Sequence, residues 1–347
     1  MFGRERRVVA SGPMSRTGLA CCVLGIALLG ACGGSDDDDD AAPWAVVTEG
    51  QPSSLLSVWS GSATDVWVVG GDPRAGMGPI VEHFDGSGWT KLDTGQRGAD
   101  LWWVTGVAGG PVFMSGSNGT ILRYQNGAFE KLPTPGNLVI FGMWAAAADD
   151  VWAVGGNLGG GGGGFIWRFN GTAWSVFQNV PTDIMGQGTC WKVNGRAAND
   201  VWISATNGTT LHWNGATLER VDVPIETSLL SVAGNAERFV TVGGTSDGVL
   251  YENDGSGWKA ALPRGGSRLT GVAVSADQAY AVGQFGTVLG RGKDGKWAAE
   301  KPRVTDQDLH AAWIDQSGGA WAVGGRFDAT PMSAGVLIHK GDPVASF

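Results

Sequence analysis

The chain has 347 residues, of which only 16% are charged, and it contains 59 glycines and 17 tryptophans. Its formal net charge is −9, and an acidic surface repels phosphate backbones, which excludes nucleic acid as an electrostatic partner. Sparse charge together with abundant glycine favours a turn-rich, all-β protein.

Residues 1–31 have the organisation of a secretion signal. Four arginines precede a short apolar run, Leu19 to Ala31, that is too short to span a bilayer and ends in small residues. The run closes with L-L-G-A-C, whose last letter is Cys32. Translation starting at Met14 instead of Met1 would still give a complete signal, so the start remains open. Because the leader carries four arginines and one glutamate, its removal takes the net charge from −9 to −12.

The letters around Cys32 resemble the bacterial lipobox, in which cleavage before a cysteine is followed by its diacylation. The resemblance implies lipidation of Cys32 and, because Gly33 and not an aspartate follows it, an anchor in the bacterial outer membrane. An ordinary signal peptide with an incidental cysteine is the alternative. Five consecutive aspartates, Asp36–Asp40, repel one another and stay solvated, which predicts a flexible acidic tether over residues 32–43. The aspartates are alternatively a signal for export to the cell surface.

From residue 44 onwards one pattern recurs along the chain. An aromatic or apolar position in a D-V-W-A-V-G-like segment returns at intervals of 38 to 50 residues. A period near 40 with alternating apolar residues is typical of β-propeller blades. Each repeat contains four strand-like segments, with an Asx-Gly pair between the third and fourth that favours a tight turn. We predict an all-β, seven-bladed β-propeller of four-stranded blades over residues 44–347. The recurring position is occupied by Trp67, Phe113, Trp152, Trp202, Val240, Tyr280 and Trp321.

The seventh repeat lacks its fourth strand, since only six residues follow Gly341. The missing segment is present at the other end of the repeat region. Trp44 precedes Leu55 by 11 residues, the spacing that separates Trp258 from Leu269. We therefore predict that residues 44–49 form the outer strand of the last blade, which closes the ring and removes an open sheet edge.

No catalytic set, metal site or cofactor site is predicted. The four histidines lack ligand spacing, and the glycine run Gly159–Gly164 lacks a βαβ context, so it is interpreted as a loop. Cys190 occupies the position that is leucine in other repeats, which predicts a buried apolar role. Asp65, which recurs as Asp150 and Asp200, is interpreted as a turn or strand-start residue.

Apart from Trp167 and Trp213 in third strands, the tryptophans divide into two sets. Those of the second and fourth strands recur blade by blade, so they are assigned to packing between blades. Six others lie in or just after the first strand, the innermost of each blade, where they are candidates for lining the channel or its mouth. Such residues suit stacking on sugar rings, with core packing as the alternative. The six candidate binding residues are Trp59, Trp102, Trp103, Trp144, Trp191 and Trp313.

The D-V-W-A-V-G segments, each followed by Asx-Gly-x-x-Trp, resemble the Trp/Gly-rich propeller repeats of secreted bacterial lipoproteins. Triplets such as Val69-Gly70-Gly71 are similar to kelch repeats. Trp258 after Asp254-Gly255 is similar to the BNR Asp-box, but the serine of that motif is missing, so sialidase activity is not implied.

The lipobox-like segment, the acidic tether, the predicted closed ring and the lack of a catalytic set together predict a non-enzymatic cell-envelope lipoprotein that binds a protein partner or serves as a scaffold. A surface glycan-binding propeller is the first alternative, and a glycan-active hydrolase or lyase is the second. The sequence leaves open the ligand, the working face, the orientation towards the periplasm or the cell surface, and the oligomeric state, because one propeller fold carries many functions.

Overall fold

The computed structural model describes residues 42–157, 162–178, 180–181, 188–262 and 265–347. The predicted signal, Cys32 and most of the tether lie outside the described residues, as does part of the glycine run. Within the described residues, no helix is long and apolar enough to cross a membrane. In this part of the chain, two single 3-10 turns, Ser117–Gly119 and Gln284–Gly286, interrupt an otherwise all-β structure.

The described strands form seven four-stranded antiparallel sheets, the blades of a propeller, as predicted. Blades one to six each use four consecutive strands, with the first strand innermost. The strands in chain order are β1 (Ala45–Gln51); β2 (Leu55–Ser62), β3 (Asp65–Gly70), β4 (Val81–Phe84) and β5 (Trp89–Lys91) of blade one; β6 (Leu101–Gly106), β7 (Val112–Gly116), β8 (Ile121–Gln125) and β9 (Ala128–Leu132) of blade two; β10 (Val139–Ala147), β11 (Asp150–Gly156), β12 (Phe165–Phe169) and β13 (Trp174–Val176) of blade three; β14 (Cys190–Ala197), β15 (Asp200–Ala205), β16 (Thr209–Trp213) and β17 (Leu218–Asp222) of blade four; β18 (Leu229–Gly234), β19 (Phe239–Gly243), β20 (Val249–Asn253) and β21 (Trp258–Ala260) of blade five; β22 (Leu269–Val274), β23 (Ala279–Gly283), β24 (Val288–Arg291) and β25 (Trp297–Ala299) of blade six; and β26 (Asp308–Ile314), β27 (Ala320–Arg326) and β28 (Ser333–Lys340) of blade seven.

The seventh blade is completed by the N-terminal strand. Strand β1 pairs antiparallel with β28, with Ala45 opposite His339 and Val46 opposite Ile338. The predicted closure is therefore confirmed, with a strand that extends to Gln51. The inner strands contact one another in cyclic order, and β26 contacts β2. No sheet edge is left open between the first and last blades, which protects the ring from pairing with other chains.

Strand register fixes which loops share a face of the ring. In blade one, Leu55 at the start of the inner strand lies opposite Gly70 at the end of β3, and Val69 pairs with Val81 at the start of β4. Loops between second and third strands therefore emerge where the inner strands begin. We call this end of the ring the front face. The Asx-Gly turns between third and fourth strands lie on the opposite, back face.

Tryptophans of the second strands pack between blades, as predicted. Trp152 is fully buried, and Trp67, Trp202 and Trp321 are also buried. Each contacts an aromatic ring of a neighbouring blade; the ring centroids of Trp202 and Trp258, for example, are 5.4 Å apart. Large aromatic rings of this kind supply much of the apolar burial that holds adjacent sheets together.

The recurring aspartates have a more specific role than the sequence indicated. Asp65 accepts hydrogen bonds from Trp67 Nε1 (2.8 Å) and His83 Nε2 (2.9 Å), and the imidazole stacks on the indole at 4.0 Å. The His83 partner and the Trp67 indole N–H lower the pKa of Asp65, although burial opposes them. Blade four repeats the aspartate–histidine pair with Asp200 and His212. The acid therefore ties the second strand to the third.

The Asx-Gly turns lie where they were predicted but use two mechanisms. Asn126 and Gly127 both have positive φ, 52° and 82°. In the other five pairs only the glycine does. In Asp85-Gly86, for example, the aspartate Oδ1 accepts the backbone N–H groups of Ser87 and Gly88. Side-chain capping of the turn therefore replaces positive φ at the Asx position.

Candidate functional site

Every inner strand carries a β-bulge near its start, at the residue that follows the second paired residue in blades three and seven and the first paired residue in the other blades. In blade one, Leu55 pairs with Gly70 and Ser57 pairs with Val69, which leaves Leu56 without an opposite residue. A bulge re-aims the side chain of the extra residue. We call the seven residues at these positions the bulge ring: Leu56, Trp102, Phe141, Trp191, Leu230, Thr270 and His310.

The bulge ring brings aromatic side chains together in the channel between the inner strands. Phe141 lies between two of the predicted tryptophans, 5.5 Å from Trp102 and 5.0 Å from Trp191 by ring centroids. Trp102 is also 5.8 Å from His310, although blade one separates their blades. Phe327, from the front-face loop of blade seven, packs on His310 at 5.4 Å. The front end of the channel is therefore lined by aromatic rings.

The remaining predicted tryptophans lie elsewhere. Trp59 is 4% exposed, and a Cβ at Gly106 of the next blade would come within 2.7 Å of its ring. Trp313 lies 6.4 Å from Trp59 and donates its indole N–H to Ser60 Oγ at 2.8 Å. Trp144 packs in the same way over Gly195. These three contact neighbouring blades, and only Trp59 and Trp313 contact each other.

Trp103 contacts a residue that sequence reasoning missed. The ammonium of Lys192 lies 4.4 Å from the Trp103 ring centroid and donates a 2.7 Å hydrogen bond to the Phe141 carbonyl. Lys192 is buried, at 4% exposure, and burial lowers its pKa to about 7. No carboxylate within the described ranges forms an ion pair with it. A cation on β14 thus reaches across blade three to a ring of blade two.

His310 is held in one tautomer. Its Nδ1 donates to the Leu56 carbonyl at 2.5 Å. Burial, followed by the positive charges of Lys192 and Arg268, lowers the His310 pKa to about 3, against the raising effect of that hydrogen bond. The imidazole is therefore neutral at pH 7, and because Nδ1 carries the proton, Nε2 is an unprotonated acceptor.

Two further donors near the channel lack a protein acceptor. Arg268 precedes the inner strand of blade six, and its Nε is buried without a hydrogen-bond partner. The indole Nε1 of Trp191 is in the same condition. Both residues are partly exposed, as are Trp102 and His310.

The sequence signal that would have located Phe141 and His310 is the position after the first-strand leucine, shared with Trp102 and Trp191.

The front face also exposes apolar side chains. Phe285 is 58% exposed and has φ of 56° in the loop between β23 and β24. Blades two and four place Asn118 and Asn207 in the same conformation, which asparagine tolerates better than a bulky residue. The backbone N–H of Phe285 donates a 2.9 Å hydrogen bond to Asp308 Oδ1. Met77, in the corresponding loop of blade one, is 45% exposed.

A surface groove of about 810 Å³ lies on the front face between blades four and five. Its floor and walls combine Val223, Pro224 and Ile225 with acidic side chains. The acidic residues are Asp222, Glu226 and Asp247, with Arg220 beside them.

Among the described residues, no group of three His, Cys, Asp or Glu side chains is placed to hold a metal ion. Cys190 is a free, buried thiol, and burial raises its pKa to about 12. Its thiolate is therefore not formed at neutral pH, in keeping with the predicted apolar role.

No family model and no curated protein matches the chain. Solved structures that are similar to it include YCF48 bound to a D1 peptide (TM-score 0.64, 13% identity, 88% of this chain and 96% of that one). Virginiamycin B lyase from Staphylococcus aureus gives a TM-score of 0.65 at 12% identity over 85% and 99% of the two chains. The WD40 repeats of RRP9 give 0.67 at 10% identity over 87% and 99%. At such identities the likeness shows the fold alone, and the chain is a seven-bladed β-propeller closed by its own first strand.

Proposed function

We propose that the chain is a non-enzymatic, lipid-anchored envelope protein whose front face binds a protein partner. The observation that carries the proposal is Phe285, an exposed aromatic residue held at positive φ where sister blades use asparagine. Strained backbone at an exposed apolar residue contributes nothing to the core, and such strain concentrates at binding sites. Met77 and the acidic groove on the same face extend the surface. The partner then presents an apolar segment with basic residues beside it.

The fold is compatible with this role. The YCF48 propeller was solved with a D1 peptide, so one similar ring accommodates a peptide. The anchor at Cys32, the outer-membrane location and the resemblance to Trp/Gly-rich lipoprotein repeats are part of the same proposal. Cleavage of an engineered protease site in Asp36–Asp40 on intact cells would support surface exposure. Protection of that site would support a periplasmic orientation.

The test uses a photo-crosslinking amino acid at position 285 of the full chain in cells, with position 176 as the matched control. Val176 is an exposed apolar residue of β13, 39% accessible, outside the front-face loops. We expect one protein to crosslink at 285 and not at 176. The purified partner should bind Phe285→Asn about tenfold more weakly than wild type or Val176→Asn. Equal crosslinking at both positions, or unchanged affinity of Phe285→Asn, would refute the proposal.

A second candidate is glycan binding, favoured by the partly exposed Trp102 and Trp191 at the front end of the channel. Tryptophan faces stack on sugar rings. On a glycan array, Trp191→Ala should lose binding while Phe285→Asn keeps it. The reverse pattern, or no glycan bound by wild type, would refute glycan binding and leave protein binding as the single remaining candidate.

A further inference from the structure

The front end of the channel concentrates positive charge inside an acidic protein. Lys192 is buried with no ion-pair partner in the described part of the chain, and its ammonium uses one proton on the Phe141 carbonyl. Arg268 Nε and Trp191 Nε1 are buried donors without protein acceptors. Buried donors and charges are normally satisfied, and each exception calls for an explanation.

These groups belong to one electrostatic neighbourhood. The charges of Lys192 and Arg268 both depress the pKa of His310 on β26. Phe141 links the site sterically, because its carbonyl binds Lys192 and its ring contacts Trp102 and Trp191. Around Lys192, the inner strand β10 of the adjacent blade contributes Phe141 and Gly142, and β6 of the next blade contributes Trp103. Of the charged or titratable groups nearby, His310 is the one on which Lys192 acts electrostatically, and Arg268 acts on the same imidazole.

We propose that this end of the channel is a binding site for a carboxylate carried on an apolar body, with Lys192 and Arg268 neutralising its charge. Arginine pairs with a carboxylate through parallel hydrogen bonds, and lysine serves as a point charge. The walls are aromatic, so they suit an apolar body. His310 is neutral and supplies no third positive charge.

The site goes beyond the proposed function, because a free organic acid can fill it without any protein partner. The same chemistry is also presented by the C-terminal carboxylate of a peptide that enters the channel from the front face. Benzoate serves as the probe for the first source. The peptide Ala-Ala-Ala-Ala-Phe with a free terminus, compared with its C-terminal amide, probes the second.

The experiment is calorimetric titration of the full chain with these probes near pH 8. We expect benzoate, the free-terminus peptide or both to bind, while the amide does not. Binding should be accompanied by proton uptake, measured by comparing two buffers of different ionisation enthalpy, because an anion favours protonated Lys192. Benzoate alone would identify a free acid as the source. The peptide alone would identify a chain terminus.

Lys192→Met should weaken the binding by about tenfold or more. The matched control Lys259→Met, on the exposed outer strand of blade five, should change it by less than about twofold. Arg268→Gln provides a second variant if Lys192→Met fails to fold. The proposal is wrong if neither probe binds wild type, if the amide binds as well as the acid, or if both channel variants bind normally. If a channel variant loses binding of benzoate or the peptide but still binds the front-face partner, the channel site is independent of the proposed function.

Discussion

Replacing Lys192 by methionine is expected to stabilise the ring below pH 7 and to lose that effect in alkaline solution. Methionine is unbranched and one heavy atom shorter than lysine, and it removes the charge. Because burial lowers the folded-state pKa of Lys192 to about 7 from its ordinary value of 10.5, the folded protein binds this proton more weakly than the unfolded chain does. The penalty is complete below pH 7. It disappears as pH rises from 7 to 10.5, where the unfolded chain also releases the proton.

The magnitude follows from the burial of the ammonium. A shift from 10.5 to about 7 corresponds to a penalty of about 5 kcal/mol at 1.36 kcal/mol per pKa unit. Methionine leaves the Phe141 carbonyl without its donor, which costs about 1–3 kcal/mol. Loss of the contact with Trp103 costs up to about 2 kcal/mol. A net stabilisation of up to about 4 kcal/mol, with a midpoint of about 2 kcal/mol, results at pH 6.

Urea unfolding of wild type and Lys192→Met at pH 6, 8 and 10 measures the difference, with Lys259→Met as the exposed control. The gain in unfolding free energy should be largest at pH 6 and smallest at pH 10. A variant that is less stable than wild type at pH 6, or equally more stable at every pH, would refute the argument that desolvation dominates at this position.

Three further changes test other parts of the structure. Burial raises the pKa of Glu82 to about 7, so the carboxyl group binds its proton more tightly in the folded protein than in the unfolded chain. Glu82→Gln should therefore stabilise the protein by about 1–3 kcal/mol above pH 7 and should have no effect below pH 4.5. Urea unfolding at pH 4 and pH 8 measures the difference. Trp44→Ala removes a buried ring that packs edge-on against Tyr280 at 5.3 Å. It should cost about 3–5 kcal/mol in thermal or urea unfolding, and a change within about 0.5 kcal/mol would argue against the N-terminal clasp. Trp59→Ala should cost a similar amount because Trp59 is 4% exposed. An unchanged melting temperature with lost glycan binding would contradict this and would support the predicted binding role of Trp59.

The blade number and the ring closure could be predicted because they depend on local signals. Strand alternation, turn residues and a missing tryptophan strand are all visible in one segment at a time. The assignment of residues 44–49 to the last blade needed only a comparison of spacings, such as Trp44 to Leu55 against Trp258 to Leu269.

The channel site could be predicted only in part, because bulges are a property of two strands. Trp102 and Trp191 were identified from their shared position, yet the bulge that re-aims them appears only in the pairing of β6 with β7 and of β14 with β15. Lys192 could not be identified, since a lysine in an inner strand normally reaches solvent. Burial of Trp59 depends on Gly106 of the next blade, a contact that one sequence segment does not contain.

The pairing of β1 with β28 also sets the order in which the protein can be completed. Thr48 Oγ1 donates to the Phe347 carbonyl, 299 positions later in the chain. At ribosomal speeds of about 5–20 residues per second, the first strand waits roughly 15–60 s for its partner to be made. Until then β1 has no blade to complete, and six finished blades cannot close into a ring. Chains truncated near the C-terminus should therefore be aggregation-prone even though nearly all of the repeats have been synthesised.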